Sequence, residues 1–323
     1  MDPSEPTSFN HRALKLSTGH TYHFVDQLPA DYESATTTNL VLIHGFPDFW
    51  YGWRYQIKPL VDRGYRVIVP DMLGYGGTDK PVDPVEYSYS KLSNDLVALL
   101  DALDIPKAVF IGHDWGSLTA QRVVLFHPDR VLALAILAVA YWPPSRVYVP
   151  LEEFVKQEPS WGYMLYFASD QSTKDIDSNP RRFFDTVYRT PGSQDTSIVK
   201  GGGMQAAITG EASKEGREHL FNEQVMAYYL ENFKSMHGPL NYYRTTKYRY
   251  EEEKDLPVSP PPDLPVLFIG GSKDPTSLPS LVDHAKSYVP QLESEMFDDS
   301  HWLMIGESKD AVTERIATWL EQI

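Results

Sequence analysis

Three residues of this chain have the types and the order that nucleophilic catalysis needs: Asp114, Asp274 and His301. Asp114 is the centre of "GHDWG", residues 112–116, where an apolar run stops and a helical pattern starts. A small-x-nucleophile-x-small turn between a strand and a helix lifts its central residue above the strand ends. Gly112 and Gly116 allow the tight turn and close helix packing. The central residue of such a turn is usually serine, and here it is a carboxylate. An aspartate at a helix start also reads as a plain cap, so its partners decide the matter. In this kind of site the nucleophile precedes an acid, and the acid precedes a histidine. Asp274, in "FIGGSKDPTS", stands just past a strand-like run, and His301, in "FDDSHWLM", lies near the C-terminus. Alone, Asp274 reads as a turn residue and His301 as one of ten histidines. Order and strand-end placement together favour a triad. The other place for an acid, the end of the run 131–140, holds none, and Asp298 and Asp299 read as loop acids.

A carboxylate is ionised at neutral pH and needs no base before it attacks. It suits displacement at a saturated carbon, which leaves an alkyl ester on Asp114. Water must then cleave that ester, with His301 as general base and Asp274 orienting it. The segment "VLIHGFPDFWYGWR" supplies a further part. His44 to Pro47 directly follow a buried run, as the oxyanion loop of α/β-hydrolases does. The backbone N–H groups of Phe46 and Trp115 are expected to converge on one oxygen, with His44 bracing the loop. A halide leaving group wants N–H donors from indoles or amides. An epoxide oxygen leaves as an alkoxide and wants a proton, for which tyrosine is the natural donor.

These parts need a scaffold. Near-continuous apolar runs at 39–45, 65–71, 108–114, 131–140 and 264–271 alternate with helical windows such as 90–105, whose stripe is Leu92, Leu96, Leu99, Leu100 and Leu103. Runs of that kind fit strands buried on both faces of a mostly parallel sheet flanked by helices. After Tyr141 the alternation breaks. From 144 to 256 the pattern is helical and aromatic, and "HLFNEQVMAYYLENFKS", 219–235, puts Phe221, Val225, Tyr228, Tyr229 and Phe233 on one face. "KGGGM", 200–204, reads as a flexible connector. The expected organisation is an α/β core at 1–143, a helical cap at 144–256 inserted after the sixth strand, and the rest of the core at 257–323.

Composition excludes some partners. The net charge of −15 argues against nucleic acid and anionic membranes, and disfavours a strongly anionic substrate. No apolar stretch reaches spanning length. There is no cysteine, residues 1–15 lack the layout of a secretion signal, and the ending "EQI" is not a peroxisomal one. A cytoplasmic enzyme is expected.

The elbow "GHDWG", the loop "HGFPD" and the stretches "YMLYF" and "GPLNYYR" resemble those of soluble epoxide hydrolases of the microbial and fungal kind, members of the α/β-hydrolase superfamily. The resemblance covers the chain from about residue 20 to its end. It implies an α/β-hydrolase fold with a helical cap, and opening of a small apolar epoxide by water to a vicinal diol, with no metal or organic cofactor. It also implies two cap tyrosines that hold and protonate the epoxide oxygen. Matched residue by residue, these are Tyr163 and Tyr243, with Tyr166 and Tyr242 as neighbouring rivals. Trp161, Met164 and Trp302 are expected to line the substrate site, and Met164 stands where some relatives have glutamine. Some animal relatives carry an extra N-terminal phosphatase domain, for which 323 residues leave no room. Haloalkane dehalogenases share the Asp-Trp elbow but usually carry asparagine where this chain has Phe46. Fluoroacetate dehalogenases usually place arginine after the aspartate, where Trp115 stands. A non-catalytic small-ligand receptor on the same scaffold is the remaining alternative.

Overall fold

The computed structural model describes residues 1–189, 196–210 and 219–323. Eight strands form one sheet in the order β1-β2-β4-β3-β5-β6-β7-β8. They are His11–Lys15 (β1), Thr21–Gln27 (β2), Asn39–Ile43 (β3), Arg66–Pro70 (β4), Ala108–His113 (β5), Val131–Leu137 (β6), Val266–Gly271 (β7) and Leu292–Phe297 (β8). β1, β2 and β4 pair antiparallel, and every other pair is parallel. The five apolar runs of the sequence become β3 to β7. All residues of β3, β4, β5 and β7 are buried, as a sheet covered on both faces requires.

Two edges of the sheet escape the pattern. The β1–β2 hairpin carries no continuous apolar run, since β1 is half-buried at every second residue and otherwise exposed. β8 ("LESEMF") is largely exposed and carries two glutamates, which protect an edge from pairing with another chain. β6 stops at Leu137, short of 140, because Ala138 turns to φ +66° while its N–H still reaches the Ile269 carbonyl.

Core helices Arg54–Asp62 (α1), Tyr89–Ala102 (α2) and Trp115–Phe126 (α3) follow β3, β4 and β5. The leucine stripe of α2 is buried through Leu92, Leu96, Leu99 and Leu100, while Leu103 caps the helix end half-buried. Between β6 and β7 lies the helical cap: Leu151–Gln157 (α4), Tyr163–Ala168 (α5), Asp170–Ser178 (α6), Pro180–Val187 (α7), Gly203–Thr209 (α8), Glu223–Asn232 (α9), His237–Leu240 (α10) and Thr246–Glu253 (α11). Pro279–Lys286 (α12) and Lys309–Leu320 (α13) complete the core.

Two local expectations need correction. The helix expected over 219–235 is only α9, because the Asn222 side chain caps it by accepting from Val225 N at 2.9 Å. Phe221 therefore packs from outside the helix. "KGGGM" is no loose connector either. Gly203 N donates to the Lys200 carbonyl, and Gly202 adopts φ +79° immediately before α8.

The elbow between β5 and α3 is built by close approach. A Cβ on Gly116 would lie 2.1 Å from the Ile43 carbonyl oxygen, and one on Gly112 would lie 2.2 Å from the Gly116 carbonyl oxygen. Neither neighbour is a side chain that can swing away. Gly116→Ala is therefore expected to lower unfolding free energy by about 3 kcal/mol or more, at the upper end of overpacking. Denaturant titration checks this, and a loss below about 0.5 kcal/mol would mean the elbow yields easily.

Candidate active site

Asp114 sits at the end of β5 with φ +55° and ψ −120°, a backbone conformation that non-glycine residues rarely adopt. The strain is held by the packing on both sides of the turn. Ser117, in the first turn of α3, donates to the Gly112 and Leu137 carbonyls and accepts from Leu137 N. β5, β6 and α3 are thereby tied together beneath the carboxylate.

The carboxylate meets the expected donors. Phe46 N donates to Asp114 Oδ1 at 2.8 Å, and the Trp115 N–H also favours the charged carboxylate. Burial raises the pKa of Asp114. The positive charge of His301 and the two amides oppose it. On the other side, His301 Nε2 lies 3.8 Å from Asp114 Oδ2, too far for a hydrogen bond but close enough for ionic attraction. His301 Nδ1 is 2.9 Å from Asp274 Oδ2. The other oxygen of Asp274 accepts from Thr276 N at 2.8 Å and Thr276 Oγ1 at 2.7 Å. Burial alone would raise Asp274. The charge of His301 and the bonds from His301 and Thr276 prevail, so its pKa is lowered. His301 shows the converse. Burial would depress its pKa, but the charges of Asp274 and Asp114 lift it above the ordinary histidine value.

Neighbouring groups fix these parts in place. His44 accepts from Met72 N through Nε2 at 2.8 Å, and its Nδ1 faces the Gly45 carbonyl at 2.9 Å. That pair of partners requires Nδ1–H, and burial pushes the ring's pKa down to about 4, so it braces the loop as a neutral imidazole. His113 Nε2 contacts the His301 carbonyl at 2.9 Å, and burial pushes that ring's pKa to about 3, so it donates there. Two braces escaped the sequence reading. Tyr188 donates to the Pro47 carbonyl at 2.9 Å, and Tyr229 donates to Asp48 Oδ1 at 2.7 Å, so the cap pins the loop that carries Phe46 N. Burial drives Asp48 up to about 7, against the hydrogen bonds from Tyr229 and Phe49 N–H. A rule that buried polar groups must be paired would single out Asp48 in "HGFPD" only once its burial was known.

Two adjoining cavities meet at the nucleophile. The larger, about 380 Å³, is lined by Asp114, Trp115, Trp161, Tyr163 and Met164 among others. The smaller, about 100 Å³, is lined by Phe46, Asp114, Tyr163, Tyr243, Asp274, His301 and Trp302. The structure thus brings Asp114, His301, Asp274, Tyr163 and Tyr243 to one place. The rings of Tyr163 and Tyr243 are 6.3 Å apart. Burial, aided by the charge of Asp114, pushes both phenols far above the ordinary tyrosine value. The rivals point elsewhere: Tyr166 donates to Asp175 Oδ2 at 3.1 Å, and Tyr242 to the Leu73 carbonyl at 3.1 Å. Trp302 stacks on Tyr188 at 4.0 Å and donates to the Val187 carbonyl, so only its ring is free for apolar contact. The Phe46 ring packs on Phe167 and Tyr243 and offers no halide donor. Asp298 pairs with Lys273 at the surface, and Asp299 accepts from Ser300 N and Ser308 N. Both are loop acids.

A mostly parallel sheet, an aspartate elbow with two amide donors and an Asp–His pair define a hydrolase of the α/β type. The family described as α/β hydrolase fold matches residues 38–308. Epoxide hydrolase A of Mycobacterium tuberculosis is 32% identical over 82% of this chain and 84% of its own length. Rat bifunctional epoxide hydrolase 2 is 31% identical over 99% of this chain, which spans only 57% of that relative. The crystal structure of epoxide hydrolase A from Mycobacterium thermoresistibile superposes with a TM-score of 0.82 at 28% identity, covering 97% of this chain and 98% of that one. This chain belongs to the α/β-hydrolase fold family, and within it to the epoxide hydrolases. Among the described residues, no helix is long and apolar enough to cross a membrane.

Proposed function

We propose that this chain converts an epoxide and water into a vicinal diol through an alkyl ester on Asp114. The observation that carries the reading is that Tyr163 and Tyr243 line the same cavity as a carboxylate whose Oδ1 accepts the Phe46 N–H. Asp114 Oδ2 attacks a ring carbon and the C–O bond breaks. The released oxygen takes a proton from a cap tyrosine. An alkoxide is far more basic than a phenolate, so this transfer runs downhill even with a raised tyrosine pKa.

Hydrolysis reuses the same frame. A water gives its proton to His301 Nε2 and attacks the ester carbon. Negative charge collects on Oδ1, where the N–H groups of Phe46 and Trp115 meet it. Collapse expels the diol oxygen, which takes the proton from His301. The new carboxylic acid on Asp114 returns a proton to the tyrosinate, and the cycle closes. In this reading residues 144–256 act as the cap, Trp161, Met164 and Trp302 touch the substrate, and the cysteine-free chain works in the cytoplasm.

Incubation with styrene oxide and with a bromoalkane tests the reaction class. Diol from the first without bromide from the second is expected, and bromide without diol would overturn the assignment. Tyr163→Phe and Tyr243→Phe should each slow alkylation by about 10²-fold. That is the low end for a general acid, because the partner hydroxyl remains, and the double variant should lose far more. Rapid-quench measurement of ester formation checks this, and a larger loss from Tyr166→Phe would reassign the donor.

A further inference from the structure

Asp274 is buried, and among the described residues its one ion-pair partner is His301, on Oδ2. No lysine or arginine shares its charge. Its other oxygen, Oδ1, takes two hydrogen bonds from a single residue, the Thr276 amide at 2.8 Å and the Thr276 hydroxyl at 2.7 Å. Thr276 stands in the turn between β7 and α12, and it lines both cavities that meet at Asp114. The backbone of His301 is fixed separately, by the bond from His113 to its carbonyl. The part left free to move is the carboxylate of Asp274, since rotation about its last side-chain bond has only a broad preference. Two donors converging on Oδ1 stop that rotation and leave Oδ2 facing the imidazole.

A buried carboxylate with one cationic partner is costly unless further donors share its charge. Donors on Oδ1 stabilise the carboxylate by themselves. They draw negative charge away from Oδ2 and so weaken the hold of Asp274 on a protonated His301. We propose that Thr276 is a positioning residue for ester cleavage, whose hydroxyl fixes Asp274 and keeps that acid from locking the imidazole in its charged form. This rests on the reading of Asp114 as the residue that carries the ester. Thr276 acts only through Asp274 and His301, and the alkylation step uses neither. The other titratable groups around this pair are Asp114 at the elbow, Asp48 on the loop after β3, His113 on β5 and Tyr163 on the cap. Burial keeps the His113 ring and the Tyr163 phenol neutral. It drives Asp48 up to about 7. Asp48 therefore titrates in the same range as His301, but it does so with or without the Thr276 hydroxyl. Comparing variants at position 276 cancels its contribution.

Thr276→Val keeps the amide donor and nearly the same shape while removing the hydroxyl, and Thr276→Ser keeps the hydroxyl. With styrene oxide in single turnover, ester formation by Thr276→Val should stay within about twofold of the wild-type rate, because the attacking carboxylate needs no base. Ester cleavage should slow by about tenfold, the scale of one hydrogen bond to a charged group. Its acidic limb should move up by about 0.5 to 1 pH unit, as Asp274 holds the imidazolium more tightly. In the free protein, NMR should show His301 titrating at higher pH by a similar amount, a readout that needs no substrate. Thr276→Ser should restore both the cleavage rate and the titration. Equal slowing of the two half-reactions with an unmoved limb would mean that Thr276 only packs the turn, and would overturn the proposal. So would an unmoved His301 titration in Thr276→Val, or a serine variant no better than valine. Failure of the wild-type protein to form an ester on Asp114 would instead refute the reading of the nucleophile, while the NMR titration would still decide whether Thr276 tunes His301.

Discussion

Asp114→Ala is expected to lower turnover of an epoxide by about 10⁴-fold or more, the scale on which removal of a nucleophile acts. The argument is geometric. His301 Nε2 faces Asp114 Oδ2 at 3.8 Å, while Nδ1 is committed to Asp274. The free nitrogen of the imidazole thus faces the carboxylate that would carry the ester. With the carboxylate gone, nothing attacks the ring, and Tyr163 and Tyr243 polarise an epoxide that has no partner. Labelled water supplies the sharper test. In a single turnover with excess enzyme, the new diol hydroxyl should come from Asp114 Oδ2, and the label should enter the peptide containing Asp114. Label in the first diol released, with none in that peptide, would mean that water opens the ring directly. Appreciable activity in the alanine variant would point the same way.

The parts of this site differ in how far the sequence exposed them. Asp114 and Asp274 were legible because each stands at the end of an apolar run, and His301 because order along the chain is set by topology. Phe46 and Trp115 were legible because a backbone donor depends on position and not on side chain. The choice of Tyr163 over Tyr166 rested on resemblance to known hydrolases. The structure adds a physical distinction, since Tyr166 already donates to Asp175 and Tyr242 to Leu73. Such commitments join residues distant in the chain, and no local pattern records them. The same holds for Tyr229, expected only as part of an apolar helix face, and for Tyr188, which the sequence did not single out, although their hydroxyls fasten the cap to Asp48 and Pro47. Among strands, the buried runs were plain, but β1, β2 and β8 were not. β1 and β8 are edge strands that hide only part of one face, so their sequences keep the charges that a buried strand excludes.

His301→Gln is expected to divide the two half-reactions. Alkylation should continue at a rate within about tenfold of the original, because the carboxylate of Asp114 is already ionised and attacks without help from a base. Hydrolysis should fall by about 10²- to 10⁴-fold, the usual share of a general base. The ester therefore accumulates, and the peptide containing Asp114 gains the mass of one substrate. No gain in mass, with hydrolysis intact, would remove His301 from the water-activating role. The wild-type pH profile tests the same assignment from another side. His301 can act as base only when neutral, so hydrolysis must fail as pH drops through its pKa. In the free protein that pKa is raised, since the charges of Asp274 and Asp114 outweigh burial. Ester formation removes the charge of Asp114 and with it one of those two supports, while Asp274 remains. The acidic limb of ester cleavage, followed in single turnover, should thus lie at lower pH than the titration of His301 in the free protein, read by NMR. The shift favours the neutral imidazole at the stage when water must be deprotonated. Equal values in the two states would show that Asp114 contributes no charge to His301, contrary to the 3.8 Å approach of the two groups.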